Sequence, residues 1–111
     1  MTAKDLSKAL NYSISATGNM EGTVTDAYVG DLLSDVMGNA STDSVLITIQ
    51  AHKNTVAVAS LIGCPVIILC NGRSAPADMV EAAESNGITL LETTDTQYKA
   101  ACRVATLLGS I

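Results

Sequence analysis

The sequence predicts a single α/β domain in which a mainly parallel sheet lies between two layers of helices. Three continuously apolar segments rich in β-branched residues occur at 44–50, 66–70 and 88–92. Such segments are typical of parallel strands that are covered on both faces. Each is followed by a helical pattern, and a β-α-β-α-β-α order with right-handed crossovers gives a three-layer α/β/α sandwich. The length of 111 residues fits one domain, residues 1–111.

The N-terminal part of the chain predicts a helix followed by a strand. Thr2 and Asp5 resemble a capping box at the start of a short amphipathic helix. Residues 12–17 alternate between apolar and polar, which predicts a half-exposed strand. The apolar side of that strand would carry Tyr12, Ile14 and Ala16. A further β-prone segment at 23–29 and a short helix at 30–41 follow.

Glycines mark the predicted helix ends. Gly38 is expected to end the short helix at 30–41. The later helices are predicted at 54–62, 76–86 and 95–108, followed by Gly63, Gly87 and Gly109. Thr94 and Gln97 suit the start of the last helix. Its inward stripe is predicted to be Tyr98, Ala101, Cys102, Ala105 and Leu108.

The predicted helix at 54–62 has almost no polar face. A helix that is apolar all round is normally buried on every side, whereas an outer helix of a small domain has one side facing out. A second copy of the chain could cover that side, since most soluble homo-oligomers are two-fold dimers. The alternative is that the N-terminal segment covers it. The candidate dimer interface consists of Val56, Val58, Ala59, Leu61 and Ile62.

Polar residues follow each of the three apolar strands, at 50–54, 71–74 and 92–95. Ligands in parallel α/β sheets bind beyond the carboxyl ends of the strands, and helix N-termini there attract anions. The sequence therefore predicts a site for a small anionic ligand such as a nucleotide or a phosphate compound. The alternative is that these residues only form loops and caps. The candidate ligand-binding residues are Gln50, His52, Lys53, Asn54, Asn71, Gly72 and Arg73.

The composition argues against several classes of protein. The net charge is −5 and no basic run is present, so we expect no nucleic-acid partner. Residues 56–70 are interrupted by polar residues, glycine and proline and are shorter than the roughly 20 residues of a membrane helix. The N-terminus lacks the apolar core of a signal peptide, so we expect a cytoplasmic protein without a membrane partner. Charged residues make up 15 % of the chain, against about 25 % on average, which favours a surface partly covered by a partner.

No residue pattern predicts a catalytic or metal site. The three cysteines lack CxxC spacing and are expected to be buried thiols. Cys64 and Cys70 would lie about 20 Å apart along one strand, too far for a disulfide. His52 is expected to be a polar loop residue, and Asp31 and Asp35, four apart on one helical face, to be solvated carboxylates. Nucleotide-binding and hydrolase signatures are absent, so we expect neither an enzyme nor a cofactor.

The segment VGDLLSDVMGNASTDSVLITIQAHKNTVAVASLIGCPVIILCNG at 29–72 resembles the DRTGG domain. The resemblance is strongest to the small stand-alone DRTGG proteins that accompany iron-only hydrogenase genes, and it runs from about Asp5 to Leu108. Residues 51–54 stand where the family has its Gly-Asp-Arg loop, and 70–72 stand at its Thr-Gly-Gly. Only Gly72 matches that motif outright, and Lys53 replaces an arginine.

The resemblance implies a regulatory or assembly domain, often dimeric, without catalysis of its own and with a role near hydrogenase systems. The leading hypothesis is therefore a homodimeric, non-catalytic module that senses a small ligand or docks on a protein partner of the hydrogenase system. The alternative is a nucleotide- or anion-binding domain with its ligand at the carboxyl ends of the parallel strands.

Overall fold

Two layers of helices enclose a five-stranded sheet with the strand order β1-β5-β4-β3-β2, as the computed structural model describes it over all 111 residues. The elements are α1 (Ala3–Leu10), β1 (Ser13–Ala16), β2 (Asp26–Val29), α2 (Leu33–Asn39), β3 (Ser44–Thr48), α3 (Lys53–Ile62), β4 (Val66–Leu69), α4 (Ala77–Ser85), β5 (Thr89–Glu92) and α5 (Gln97–Leu108). None of the helices combines the length and the apolar character needed to cross a membrane. The predicted α/β/α architecture is confirmed.

The sheet is parallel except at one edge. β2, β3, β4 and β5 pair with one another in parallel, and their registers place Thr48 beside Leu69 and Leu69 beside Glu92. β1 lies antiparallel on β5. These registers bring the carboxyl ends of β3, β4 and β5 to one edge of the sheet. β3 and β4 are completely buried, as expected of parallel strands covered on both faces.

Successive residues of the buried strands enter different halves of the core. Leu46, Ile67 and Leu90 pack with α2, α3 and α4 on one face of the sheet. On the other face, Ile47 and Ile68 pack with α1 and α5. This alternation follows from the two-residue period of a strand. Continuously apolar strands are therefore required here, since each strand contributes to both layers of packing.

A bulge in β1 changes the face to which its last residue belongs. The pairing with β5 shifts register between Ile14 and Ala16. Tyr12 consequently packs on the α1–α5 side, whereas Ala16 is buried on the side of α2, α3 and α4. The prediction of one common face for these residues is wrong, because an extra residue in a strand reverses the alternation beyond it.

Neighbouring helices cover most of α3. It lies between α2 and α4 and contacts both. Val56, Val58 and Ala59 are thereby buried inside the protomer, while Ile62 is half-buried and Leu61 is 76 % exposed. The apolar character of α3 is thus explained by its central place in its layer, which the sequence reading did not anticipate. Of the candidate interface residues, Leu61 and Ile62 retain exposed surface.

Two helix ends differ from the sequence-based expectations. Thr96, and not Thr94, caps α5, and its side chain accepts a hydrogen bond from the backbone N–H of Lys99. The inward stripe is consequently centred on Ala100 and Val104, and Tyr98 is exposed. Gly38 lies within α2, which continues to Asn39 and is followed by an Ala40 cap in extended conformation. Gly63 and Gly109 cap α3 and α5 in the left-handed conformation, as predicted.

Gly18 and Gly38 provide a matched test of the fold. A Cβ at Gly18 would overlap the backbone of Gly87 and Ile88, whereas one at Gly38 would meet no atom within 4 Å. We expect Gly18→Ala to lower the free energy of unfolding by about 1–3 kcal/mol through overpacking. Gly38→Ala should raise it by about 0.5–1 kcal/mol, because alanine is the better helix former. Urea unfolding measures both changes, and equal effects of the two substitutions would contradict the packing of the 17–19 loop against 87–88.

Candidate functional site

The carboxyl ends of β2, β3, β4 and β5 meet at one edge of the sheet, called here the strand-end edge. The loops that leave these strands are 30–32, 49–52, 70–76 and 93–96. Parallel pairing therefore brings the polar clusters at 50–54, 71–74 and 92–95 to the same edge, which is the placement expected from the sequence. The loop after β2 joins them there and was not among the predicted clusters.

The Asp31 carboxylate connects three of these elements. Its Oδ1 accepts hydrogen bonds from the Thr48 hydroxyl, the Ile49 backbone N–H and the Gln97 side-chain amide, each at 3.0 Å. The loop after β2 is thereby joined to the end of β3 and to the start of α5. Asp31 precedes α2, so it does not share a helical face with Asp35, and the expectation of two solvated carboxylates on one face is wrong. Asp35 accepts bonds from Tyr28 and Asn39 instead.

The turn at 71–73 uses its backbone N–H groups inside the protein. Asn71 and Gly72 both have left-handed conformations, with φ of 59° and 70°. The Asn71 N–H donates to the Asp95 carbonyl and the Gly72 N–H to the Thr93 carbonyl, both at 2.9 Å. The Arg73 N–H donates to the Cys70 carbonyl at 3.2 Å. These amides thus close the loop, and side chains are the groups left to contact a ligand here.

His52 caps α3. Its Nδ1 accepts a hydrogen bond from the backbone N–H of Asn54 at 3.0 Å. The Thr55 hydroxyl, which the sequence analysis did not single out, donates to the Gln50 carbonyl at 2.8 Å and holds the loop against the helix. The side chains of Gln50, Lys53 and Asn54 are exposed at the same edge.

A small polar cavity of about 240 Å³ lies between the ends of β4 and β5 and the start of β1. No hydrophobic residue lines it; the lining residues are Ser13, Gly72, Arg73, Glu92, Thr93 and Thr94. The Glu92 carboxylate accepts hydrogen bonds from the Ser15 hydroxyl and from the Ala75 backbone N–H. Arg73 is exposed and is the only cationic side chain of the lining. We call this space the Arg73 cavity.

Asp95 joins the β5–α5 loop to the N-terminal part of the chain. Its Oδ2 accepts the Tyr12 hydroxyl at 2.8 Å and lies 3.7 Å from Arg103 Nη1, the one ion pair of the protein. Arg103 stacks 4.9 Å over the Tyr12 ring and donates to the last carbonyls of α1, the Leu10 oxygen among them. Burial and the bond to Asp95 raise the pKa of Tyr12, and Arg103 opposes that rise.

Cys70 is buried at the end of β4, within the field of two carboxylates. Burial raises its pKa to about 11, and the charges of Asp95 and Asp31 act in the same direction. Burial likewise raises the pKa of Cys64 to about 11. Both side chains are therefore protonated thiols at neutral pH, whereas nucleophilic attack by cysteine requires the thiolate. All three cysteines are free, and no three His, Cys, Asp or Glu side chains lie together where they would hold a metal ion.

Several residues of this edge escaped the sequence analysis. Tyr12, Asp31 and Arg103 lie far from the predicted loops in sequence and reach them only through the tertiary fold. Glu92 and Asp95 were recognised as members of a polar cluster, but their partners were not. An aspartate two residues after a β-prone segment, as Asp31 is after 23–29, was the one local pattern that could have indicated its role.

The comparisons with known proteins identify a fold and no family. No family model matches the sequence, and no curated protein matches it. Among solved structures, the chain is similar to the CBS and DRTGG domains of the regulatory region of a Clostridium perfringens pyrophosphatase, a crystal structure in complex with the activator diadenosine tetraphosphate. The TM-score is 0.72 at 13 % sequence identity, over 93 % of this chain and 45 % of the other. This chain thus spans less than half the length of that structure, and the likeness is consistent with a DRTGG-like fold.

The Asp31 network predicts a measurable contribution to stability. Asp31→Ala leaves Thr48, Ile49 and Gln97 without their acceptor, and we expect a loss of about 2–3 kcal/mol of unfolding free energy. Asp31→Asn keeps a side-chain oxygen and should lose less, about 1 kcal/mol. Glu81→Ala on the exposed face of α4 is the control and should stay within about 0.5 kcal/mol of the wild type. Chemical unfolding gives all three values. An Asp31→Ala protein as stable as the control would show that the Asp31 hydrogen bonds do not contribute to the unfolding free energy.

Proposed function

We propose that this protein is a non-catalytic regulatory module that senses a small anionic ligand at the strand-end edge. The observation that carries the proposal is the Arg73 cavity, which no hydrophobic residue lines and which lies beyond the carboxyl ends of parallel strands, where such sheets bind ligands. The similarity to a regulatory region that is complexed with a nucleotide activator supports it. The proposed ligand is a nucleotide or another phosphate compound.

The lining of the Arg73 cavity contains one guanidinium, that of Arg73, and one carboxylate, that of Glu92. Arg73 makes no ion pair, so its guanidinium is free to bind a phosphate in a bidentate manner. The hydroxyls of Thr93 and Thr94 line the same cavity and can donate to phosphate oxygens. The carboxylate of Glu92 already accepts two hydrogen bonds, which reduces its repulsion of an anion.

The cavity is too small for a whole nucleotide, and the neighbouring loop supplies further contacts in the proposal. Gln50, Lys53 and Asn54 are exposed at the next strand end and offer an ammonium group and two amides. In the proposal, the ligand extends from the Arg73 cavity along the strand-end edge towards these side chains. His52 and the backbone of Asn71 and Gly72 would shape these loops, since His52 Nδ1 and the N–H groups of Asn71 and Gly72 are used within the protein.

The candidate chemistry groups support a role without catalysis. Cys70 and Cys64 are protonated, and His52 uses Nδ1 to cap a helix. The carboxylates of Asp31 and Asp95 serve as acceptors that join secondary-structure elements. A ligand bound among these loops would change their conformation. A partner that contacts the loops would respond to that change. We expect this to occur in the cytoplasm.

Nucleotide binding can be tested by thermal unfolding with AMP, ATP and diadenosine tetraphosphate. A ligand at a hundredfold excess over its dissociation constant stabilises a protein by about 2.7 kcal/mol, so we expect Tm to rise by several degrees with at least one of them. Arg73→Ala should abolish most of the rise because it removes the cation of the cavity. Lys99→Ala, which removes an exposed cation on α5, should leave it unchanged. Absence of a shift with all three nucleotides at millimolar concentration would contradict the proposal.

We further propose that two copies associate through the exposed end of α3. Leu61 and Ile62 are the candidate residues that keep exposed surface, and Leu61 is 76 % exposed. Leu61 and the adjacent, half-buried Ile62 would provide the apolar surface for a small interface. Val56, Val58 and Ala59 would support that surface from within.

Sedimentation at micromolar concentration tests the dimer. We expect a two-subunit species for the wild type and a monomer for Leu61→Asp, which places a charge in the interface. Glu84→Asp on the neighbouring helix α4 is the control and should behave as the wild type. A monomeric wild type would rule out the dimer and would leave the ligand site unaffected.

A protein of an iron-only hydrogenase system is the proposed partner, on the ground of the sequence resemblance. An anaerobic pull-down from native lysate with the tagged chain should retain hydrogenase subunits or maturation proteins. Recovery of none of them, under conditions in which the bait stays folded, would remove this part of the proposal.

A further inference from the structure

The groove between α1 and the outer side of β1 is the largest cavity of the protein, at about 500 Å³. It does not overlap the Arg73 cavity, since the two share no lining residue. Its walls are formed by α1, by the connection from α1 to β1, by β1 and by the loop that follows β1. The lining residues are Lys4, Ser7, Lys8, Asn11, Tyr12, Ile14, Met20 and Glu21. We call it the α1–β1 groove.

One wall of this groove is an unpaired strand. β1 pairs with β5 on one side and forms the edge of the sheet on the other. An edge strand directs alternate backbone N–H and C=O groups away from the sheet, where they can pair with another extended chain. Ile14 lies in the middle of this wall and is 48 % exposed, and Met20 is half-buried beside it. The groove therefore offers backbone hydrogen bonds together with an apolar floor.

The opposite wall carries positive charge in a protein that is otherwise acidic. Lys4 and Lys8 are one turn apart on α1, and both are exposed. They represent two of the six basic side chains in a chain of net charge −5. Neither makes an ion pair within the protein, because the one ion pair joins Arg103 and Asp95. The single carboxylate of the lining is Glu21, which leaves the groove with a net positive charge.

The loop that completes the groove is held in place by backbone hydrogen bonds. The Lys4 N–H donates to the Met20 carbonyl at 2.9 Å, and the Ala3 N–H donates to the Gly22 carbonyl at 2.7 Å. Thr2 and Thr23 form a further bridge between the same segments. The groove is thus a preformed feature of the fold, and a segment that enters it need not first order its walls.

We propose that the α1–β1 groove binds an extended, acidic segment of a partner protein, which adds to β1 as a sixth strand. Backbone groups of β1 would hold the segment, apolar side chains of the segment would pack on Ile14 and Met20, and its carboxylates would lie beside Lys4 and Lys8. Strand addition of this kind takes affinity from the backbone and specificity from the side-chain pockets. The four residues of β1 span about 13 Å, which sets the length of the bound stretch.

A second copy of the chain is a poorer occupant of the groove. Pairing of β1 with β1 would bring the segment SISA, which contains no carboxylate, to the two lysines. It would also bring the lysines of both copies towards the same edge. An acidic segment instead neutralises Lys4 and Lys8.

The test is an NMR titration of the ¹⁵N-labelled full chain with the capped peptide Val-Glu-Val-Glu-Val. We expect shifts of the amides of α1, β1 and residues 20–21, and slower hydrogen exchange of outward-facing β1 amides. The peptide Val-Lys-Val-Lys-Val should bind more weakly. Lys8→Glu should weaken binding of the acidic peptide about fivefold, and the matched control Lys99→Glu, with the same change of charge on α5, should not.

Each other outcome overturns the proposal in a distinct way. Inorganic phosphate that shifts the Lys4 and Lys8 amides, while the peptide leaves β1 unprotected, would assign the groove to small anions. Shifts of β1 amides that grow with protein concentration alone would assign it to a second copy. Equal binding of both peptides, or equal effects of Lys8→Glu and Lys99→Glu, would remove the charge argument. Loss of nucleotide binding at the Arg73 cavity leaves all these readouts unchanged.

Discussion

The parallel pairing of β2, β3, β4 and β5 is the constraint on which the other features of this protein depend. It requires strands that are apolar on both faces, because helices cover the sheet from both sides. It also requires the loops that leave these strands to meet at one edge. Polar residues that the core excludes are therefore concentrated there, and the position of every candidate site residue follows from that concentration.

Most polar groups of the strand-end edge are used to hold the loops together. Asp31 joins the end of β3 to α5, Asp95 joins the β5–α5 loop to Tyr12, and His52 caps α3. No buried side-chain nitrogen or oxygen lacks a hydrogen-bond partner. A satisfied network of this kind fixes the loop geometry. The side chains that remain free, above all Arg73, are the ones with which a ligand can interact.

The two proposed binding regions use different physical means. The Arg73 cavity combines an unpaired guanidinium and hydroxyls with the Glu92 carboxylate, and we propose a small anion as its ligand. The α1–β1 groove combines an unpaired strand edge with an apolar floor and two ammonium groups, which suits a peptide. Tyr12 connects them, since it lines the groove and donates to Asp95 in the loop after β5. The two regions are also neighbours in the chain, since Ser13 lines the Arg73 cavity and Tyr12 and Ile14 line the groove.

The sequence by itself determined the α/β class, the three central strands and the helices between them, since apolar runs, periodicity and glycine caps are local properties. It also placed the clusters at 50–54 and 71–74 on one edge, because parallel topology follows from the order of elements. The tertiary structure alone decided that β1 bulges and reverses the face of Ala16, and that α2 and α4 cover α3. It alone brought Asp31, Tyr12 and Arg103 to their partners. These contacts join segments up to 94 residues apart, and no local pattern specifies which distant side chain will satisfy a given hydrogen bond.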